Sequence, residues 1–429
     1  MRPKETKMTL TKTTQFVAII ISAILTVSLL SGSLICFAGN DDEVFDGAAL
    51  ETVIAPDAFE ENAYGLRGFA ASPDGKRLFL GYLHGPYGDE AHISVHDAGT
   101  FEKITEFAPA VDPDIPVDKG NYYAKGLAVD NRGFLFVGVT HADTGYCSIY
   151  CYDNYYQEIG HIVEELGEIT GINGVAVHRS GDRILLYALT CYHVDTIRCY
   201  DVTDPTNMKL YDGFGEGGVV DYYELTESER DPGYVAVDVD GNVYITCLLK
   251  DNGPAKGSHV LKLSPDGKTI AARAAINEAY GICTAGDYLF VSTYNGADSK
   301  VLVLNRSDLS EVASMSSGDQ ENPLTSIAYG GQYLFVADQG YEQIDDSGRV
   351  LRSDKALNIT RDPKETEKVD PGEYEVPPTA VPTQEPEDNG RSVLKHPNYP
   401  LIVTVAICAV AVITAAVIII LKCKKKTKD

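Results

Sequence analysis

The stretch that decides the fold is GYVAVDVDGNVYITC, residues 233–247. Its Asp-Val-Asp-Gly segment begins like a calcium-binding loop, but an EF-hand loop needs further oxygen ligands and a distal Glu. The chain instead continues into NVYITC, whose β-branched and aromatic residues are typical of a strand. Residues 238–241 are therefore predicted to form a tight turn between two antiparallel strands, in which Gly241 supplies a positive φ.

The same pattern recurs along the chain. Each copy is a short apolar strand, a polar turn that contains Gly and a second apolar strand, and a third strand such as SIYCYD or KVLVLN usually follows. Four strands per unit and about 45 to 60 residues between units predict an all-β fold, a six-bladed β-propeller. The last unit lacks a fourth strand, and we expect Leu50–Ile54 to supply it and close the ring.

The two ends of the chain have the composition of membrane-active segments. Residues 1–38 join basic side chains to a long apolar run, which predicts a signal peptide cleaved after Ala38, with an uncleaved anchor as the alternative. Residues 400–421 form an uncharged apolar run long enough to be a transmembrane helix. The basic tail, residues 422–429, predicts a cytoplasmic C-terminus.

Between these ends we expect a propeller ectodomain over residues 39–360 and a disordered stalk over residues 361–399. The stalk is rich in Pro, Glu and Thr, which prevents it from burying enough apolar surface to fold. The net charge of -26 argues against nucleic acid as a partner. Together these features predict a single-pass cell-membrane protein with an extracellular ectodomain, and the composition of the stalk favours a Gram-positive bacterial surface.

Particular blades resemble a known group of propellers. YVAVDVDGNVYIT and GLAVDNRGFLFVG look like NHL or SMP-30 blades, and ASPDGKRLFLGYL looks like a YVTN blade. The resemblance to this NHL, YVTN and SMP-30 (gluconolactonase-like) group covers residues 65 to 355. It implies functions that range from lactone hydrolysis on one divalent metal ion to protein binding. The lactonase-like members hold the metal with channel carboxylates and an Asn; Asn173 lies at a plausible position, whereas Arg67 stands where an acid is expected.

Two groups of residues are predicted to contact a ligand. Alignment of the blades places one residue of each first strand at the mouth of the channel: Arg67, Lys125, Asn173, Gly233, Tyr280 and Thr325. The cations in neighbouring blades are a candidate site for a carboxylate or phosphate. The second group lies on long loops of the same face, where tyrosines favour an interface: Tyr87, Tyr122, Tyr123, Tyr222 and Tyr223.

Histidine and cysteine offer weaker candidates. His84 and His141 end the second strands of neighbouring blades and could share a metal ion, although the pattern indicates no third ligand. Cys191 and Cys199 flank a predicted hairpin and are the candidate disulfide. The sequence leaves open the oxidation state of the six ectodomain cysteines: Cys147, Cys151, Cys191, Cys199, Cys247 and Cys283.

The predicted function is a cell-surface binding module for a protein, a peptide or a glycan, because long loops occur without a recognisable catalytic constellation. No catalytic residue and no cofactor is predicted. The alternative is a metal-dependent, lactonase-like hydrolase that holds a single divalent cation in the channel.

Overall fold

The computed structural model of the chain contains six antiparallel sheets. Five sheets consist of consecutive strands, and the sixth takes its outer strand from the N-terminal side. The structure describes residues 44–55, 64–84, 91–109, 115, 122–141, 144–167, 170–192, 194–226, 232–247, 258–339 and 348–369.

The first three blades follow one another along the chain. The earliest strand, β1 (Leu50–Ile54), belongs to the sixth blade. Blade 1 comprises β2 (Tyr64–Ala71), β3 (Arg77–His84), β4 (His92–Asp97) and β5 (Lys103–Phe107). Blade 2 comprises β6 (Tyr122–Val129), β7 (Leu135–His141), β8 (Tyr146–Tyr152) and β9 (Glu158–Glu165). Blade 3 comprises β10 (Thr170–Ser180), β11 (Arg183–Tyr192), β12 (Thr196–Asp201), β13 (Lys209–Leu210) and β14 (Val219–Asp221).

The last three blades repeat this arrangement, with short helices in the connections. Blade 4 comprises β15 (Pro232–Val237), β16 (Val243–Cys247), β17 (His259–Leu263) and β18 (Ile270–Ala275). Blade 5 comprises β19 (Ala279–Ala285), β20 (Tyr288–Thr293), β21 (Val301–Asn305) and β22 (Glu311–Met315). Blade 6 comprises β23 (Leu324–Gly330), β24 (Tyr333–Asp338), β25 (Arg349–Ser353) and β1. The helices are α1 (Tyr222–Thr226), α2 (Pro363–Thr366) and two 3-10 turns, Pro205–Asn207 and Gly296–Asp298.

The core lies between the blades. Six clusters of buried apolar side chains each join one blade to the next, and one of them joins blade 6 back to blade 1. The second strands are therefore apolar on both faces, and β7 is buried along its whole length. The fourth strands lie at the rim, where β18 alternates between exposed and half-buried residues. These contacts confirm the six-bladed propeller.

The ring closes as expected. β1 pairs antiparallel with β25, with Leu50 opposite Ser353 and Thr52 opposite Leu351. Leu50 and Ile54 insert into the clusters on either side of blade 6. The sixth blade is therefore built from both ends of the propeller sequence. The pairing of β1 with β25 closes the ring.

The stretch 233–247 folds as the predicted hairpin. β15 and β16 pair with Val237 opposite Val243, and Gly241 has a φ of 83°. Oδ1 of Asp238 accepts hydrogen bonds from the backbone N–H groups of Asp240 and Asn242, each at 2.9 Å. Its Oδ2 accepts from the hydroxyl of Tyr244 at 2.9 Å. Asp238 is buried and serves to fix the turn.

The predicted disulfide between Cys191 and Cys199 is wrong. Cys199 lies opposite Tyr187 in the β11–β12 ladder, so Cys191 is four residues further along β11. At about 3.4 Å per residue that separation is about 14 Å, twice the reach of a disulfide. Cys147, Cys151, Cys199 and Cys283 are free thiols, and burial raises the pKa of both Cys147 and Cys199 to about 12.

The described chain ends in a segment, residues 355–369, that we call the C-terminal strap. It crosses the face that carries the first-to-second-strand turns, which we call the turn face. In blade 6, Gln332 O accepts from Leu357 N at 2.7 Å. In blade 2, Nδ2 of Asn131 donates to the carbonyl oxygen of Lys364 at 2.8 Å. Residues 361–369 thus pack on the propeller rather than extend from it as stalk.

The predicted membrane segments, residues 1–38 and 400–421, lie outside the described residues, as do residues 370–399 of the stalk. Within the described part of the chain, no helix is long and apolar enough to cross a bilayer. The membrane anchor and the signal peptide therefore stay predictions.

Candidate functional site

A β-bulge interrupts the innermost strand of every blade at the same level. In blades 1–3 the pairing with the second strand skips one residue, namely Arg67, Lys125 or Asn173. In blades 4–6 it skips two: Gly233 and Tyr234, Tyr280 and Gly281, or Thr325 and Ser326. Bulges re-aim side chains and are frequent beside functional sites. The ring predicted from the aligned repeats thus coincides with the six bulges, and we call this level the channel mouth.

Glycine at the bulges allows neighbouring first strands to approach closely. A Cβ on Gly68 would lie 2.8 Å from the carbonyl oxygen of Ala124, and one on Gly126 would lie 2.9 Å from Val175 N. Real Cβ atoms do not come this close to backbone, so the large side chain occupies the first position of the pair in blades 1–3 and 5. Blade 4 reverses the order, with Gly233 first and Tyr234 second.

The reversal in blade 4 makes Tyr234 the floor of the channel mouth. Its hydroxyl donates to the carbonyl oxygen of Arg67 across the channel and lies 2.8 Å from Oγ of Ser326. The side chain is buried, and burial raises the pKa of Tyr234 above its ordinary value. Because the ring links blade 4 to blades 1 and 6, it separates the mouth from the lower channel. Alignment on the first bulge position alone missed this residue.

Arg67 is held at the mouth by tyrosines of blade 5. Its Nη1 donates to the hydroxyl of Tyr280 at 2.7 Å. The guanidinium carbon lies 5.8 Å from the ring centroid of Tyr280 and 5.6 Å from that of Tyr294, within cation–π range. Burial opposes the charge, but Tyr280, Tyr294 and Tyr234 raise the pKa of Arg67 above its ordinary value. Arg67 therefore stays cationic. Tyr294, on the chain after β20, was not predicted.

Lys125 brings a second cation from the neighbouring blade. Its Nζ lies 5.8 Å from the ring centroid of Tyr123, and only 9% of the residue is exposed. Burial and, to a smaller extent, the charge of Arg67 lower the pKa of Lys125, partly offset by Cys191 and Tyr280. The effect of Arg67 on this pKa places the two cations within electrostatic range of each other. An anion placed between them would favour the charged form of Lys125.

Other residues predicted at the mouth have different roles. Thr325 is fully buried, and its hydroxyl lies 3.2 Å from the carbonyl oxygens of Leu66 and Ala337. It therefore links blade 6 to blade 1 and does not face a ligand. Nδ2 of Asn173 donates to the carbonyl oxygen of Pro232 at 3.0 Å, which holds blade 3 against blade 4.

The predicted loop tyrosines divide into several environments. Tyr222 is fully buried in α1, and its hydroxyl lies 3.0 Å from Nε2 of His259. It packs in the interior rather than on the surface predicted for it. Tyr223 is 49% exposed, and Tyr123 lies beside Lys125. Tyr87 and the side chain of Tyr122 lie outside the described residues.

Of the two candidate metal ligands, His84 and His141, only His141 has a described side chain. His141 is buried, and its Nε2 lies 2.8 Å from Oγ of Ser148 on the next strand. The side chain of His84 lies outside the described residues, so the shared metal ion stays a prediction. Within the described ranges, no group of three His, Cys, Asp or Glu side chains is placed to hold a metal ion.

The innermost strands do not supply the donors of a lactonase-type metal site. None of the six, as bounded above, contains Asp or Glu. Hard divalent cations prefer carboxylate oxygens, and the mouth instead presents a guanidinium and an ammonium group. The described channel therefore does not fit the single divalent cation implied by the resemblance to lactonase-like propellers.

Below Tyr234 the channel continues to the turn face. A cavity of about 160 Å³ is lined by the remaining residues of all six innermost strands, including Cys283. A second cavity, of about 180 Å³, lies at the turn face, and Arg361, Lys364 and Glu365 of the C-terminal strap contribute to its lining. The mouth lies at the opposite end of the strands.

Comparisons with known proteins add little to this description. No family model matches the sequence, and no curated protein matches it. One similar solved structure is hydrazine synthase from Kuenenia stuttgartiensis, with 15% identity, a TM-score of 0.44 and coverage of 69% of this chain and 97% of that chain. Another is the PQQ-bound aldose sugar dehydrogenase from Streptomyces coelicolor, with 15% identity, a TM-score of 0.46 and coverage of 71% and 98%. Membership of the NHL or SMP-30 group stays a prediction.

Proposed function

We propose that this protein is a membrane-anchored, cell-surface propeller that binds an acidic glycan at the channel mouth. The observation that carries the proposal is the pair of cations, Arg67 and Lys125, at the bulges of neighbouring blades beside the buried ring of Tyr234. A carboxylate accepts charge-assisted hydrogen bonds from both cations. The rings of Tyr123, Tyr280 and Tyr294 provide the flat, amphipathic surface on which the rest of a sugar residue packs.

The face from which the chain leaves the propeller also supports a binding site at the channel mouth. The described chain leaves the propeller from the turn face, where Val369 N donates to Asn131 O at 3.0 Å. The mouth lies at the other end of the innermost strands from this exit point. No observation on the described residues favours the hydrolase alternative, because the innermost strands lack the carboxylates that it requires.

The test uses the full chain in detergent, applied to an array of matched probes. Each pair consists of an oligosaccharide ending in glucuronate and its neutral twin ending in glucose, with peptides bearing a free or amidated C-terminus alongside. We expect retention by the glucuronate member and at least a ten-fold loss in the Arg67→Gln/Lys125→Met variant, because a hydrogen bond to a charged group contributes about 1.5–3 kcal/mol.

The matched control is Lys209→Met/Lys268→Met, which removes two exposed cations on blades 3 and 4. It is expected to bind like the parent protein. Equal retention of charged and neutral glycans, or retention unaffected by the Arg67 and Lys125 changes, would refute the site. Retention of carboxylated peptides alone would keep the site and reject the glycan.

A further inference from the structure

A groove separates the turns of blades 1 and 2 on the turn face, remote from the channel mouth. Its volume is about 390 Å³, within the range of ligand pockets. One side is the 72–77 turn of blade 1, the other is the 130–133 turn of blade 2, and the end of the C-terminal strap (Thr366, Lys368 and Val369) completes it.

The groove is basic although the protein is strongly acidic. Nζ of Lys76 and of Lys368 lie 3.9 and 3.7 Å from Oδ2 of Asp74, yet both lysine side chains are more than three-quarters exposed. Arg77 adds a third cation beside them, and its Nη1 donates to the hydroxyl of Tyr156 at 2.7 Å. Asp74 thus contacts two exposed lysines, and Arg77 lines the same groove, so the groove carries more cations than this one carboxylate balances and attracts an anionic segment.

The described chain ends at this groove. The backbone of Val369 is bound to Asn131, and the residue itself lines the groove. The next seven residues, DPGEYEV at 370–376, contain three acids and one tyrosine. Seven residues span at most about 25 Å when extended, so a segment that follows Val369 is long enough to lie along the groove.

We propose that residues 370–376 dock in the groove between blades 1 and 2, with their carboxylates against Lys76, Arg77 and Lys368. In this arrangement the folded propeller domain ends at Val376 rather than at the end of the strap. The stalk then begins after Val376. The proposal is independent of what binds at the channel mouth, because the two sites share no residue.

A glutamate-specific protease tests this proposal on the full chain in detergent. Glu373 and Glu375 lie in the docked segment, whereas Glu387 lies further along the predicted stalk and serves as an internal reference. We expect cleavage after Glu373 and Glu375 to be at least ten-fold slower than after Glu387. The Lys76→Gln/Lys368→Gln variant, which adds no cleavage site, should equalise the three rates, and the exposed-site control Lys209→Gln/Lys268→Gln should not.

Cleavage after Glu367 and the melting temperature show whether the strap itself stays docked in the variants. Equal rates at all three sites in the parent protein would overturn the proposal. Protection that survives Lys76→Gln/Lys368→Gln would also overturn it, because the contact would then lie elsewhere. Protection that fades on dilution would assign the groove to the segment of a second copy and reject docking within one chain.

Discussion

Replacement of Tyr234 separates its two roles, the hydrogen bonds of its hydroxyl and the closure of the channel by its ring. Tyr234→Phe removes the bond to the carbonyl oxygen of Arg67, which still accepts from Ser326. We expect a loss of about 1 kcal/mol in the free energy of unfolding, the ordinary value of one such bond. Tyr234→Ala also empties the space between blades 1, 4 and 6 and should cost about 3–5 kcal/mol.

The two variants differ further in access to Cys283. This thiol lines the cavity directly below Tyr234, so the ring separates it from the mouth. We expect a maleimide to label Cys283 at least ten-fold faster in Tyr234→Ala than in the parent protein or in Tyr234→Phe. Urea denaturation and mass spectrometry of the labelled peptide give the two quantities. Unchanged labelling in Tyr234→Ala, or a loss below 1 kcal/mol, would refute the assignment of Tyr234 as the floor.

Three further predictions concern the bulges, the buried cation and the thiols. A Cβ at Gly281 would collide with the carbonyl oxygen of Thr325, whereas one at Gly318 meets nothing within 4 Å; Gly281→Ala should lower the melting temperature clearly and Gly318→Ala should not. Burial lowers the pKa of Lys125 in the folded protein below 10.5, the ordinary value of the unfolded chain. Between these two pKa values the unfolded chain binds more protons than the folded protein, so the free energy of unfolding rises with pH. Lys125→Met should therefore stabilise the protein near pH 8, with the advantage over the parent shrinking as pH approaches 10.5 in urea titrations. Cys147 and Cys199 are free thiols, and burial raises the pKa of each to about 12; both should resist a thiol reagent at pH 8 until denaturant is added, and resistance that persists after unfolding without reductant would indicate disulfides.

Much of the fold could be predicted because every repeat has the same local sequence pattern. Each hairpin carries its own turn glycine, and the alternation of apolar residues shows which strands pack between blades. Even the closing strand, Leu50–Ile54, could be found, since a blade short of one strand must obtain it from elsewhere. Alignment of the repeats also located the level of the bulges, where Arg67 and Lys125 meet.

The environments of several predicted site residues and the order of the strap depend on contacts between distant parts of the chain. The sequence of a single strand does not reveal such contacts. Thr325 and Tyr222 looked available because polar and aromatic residues occur on surfaces, yet carbonyl oxygens and His259 satisfy them in the interior. The strap has the composition of a stalk, and its order comes from distant partners such as Asn131 and Gln332. The Gly-Tyr reversal at residues 233–234 was visible in the sequence, but its meaning required the geometry of the channel.

The most direct test of the anion site is a crystal of the propeller soaked in 4-bromobenzoate, whose aryl bromine is not displaced by thiols or amines and can be located by anomalous scattering. The account predicts a bromine peak at the channel mouth above Tyr234, with the carboxylate between Arg67 and Lys125, and no such peak in Arg67→Gln/Lys125→Met crystals. Peaks found only elsewhere, or a mouth peak that persists in the variant, would contradict it.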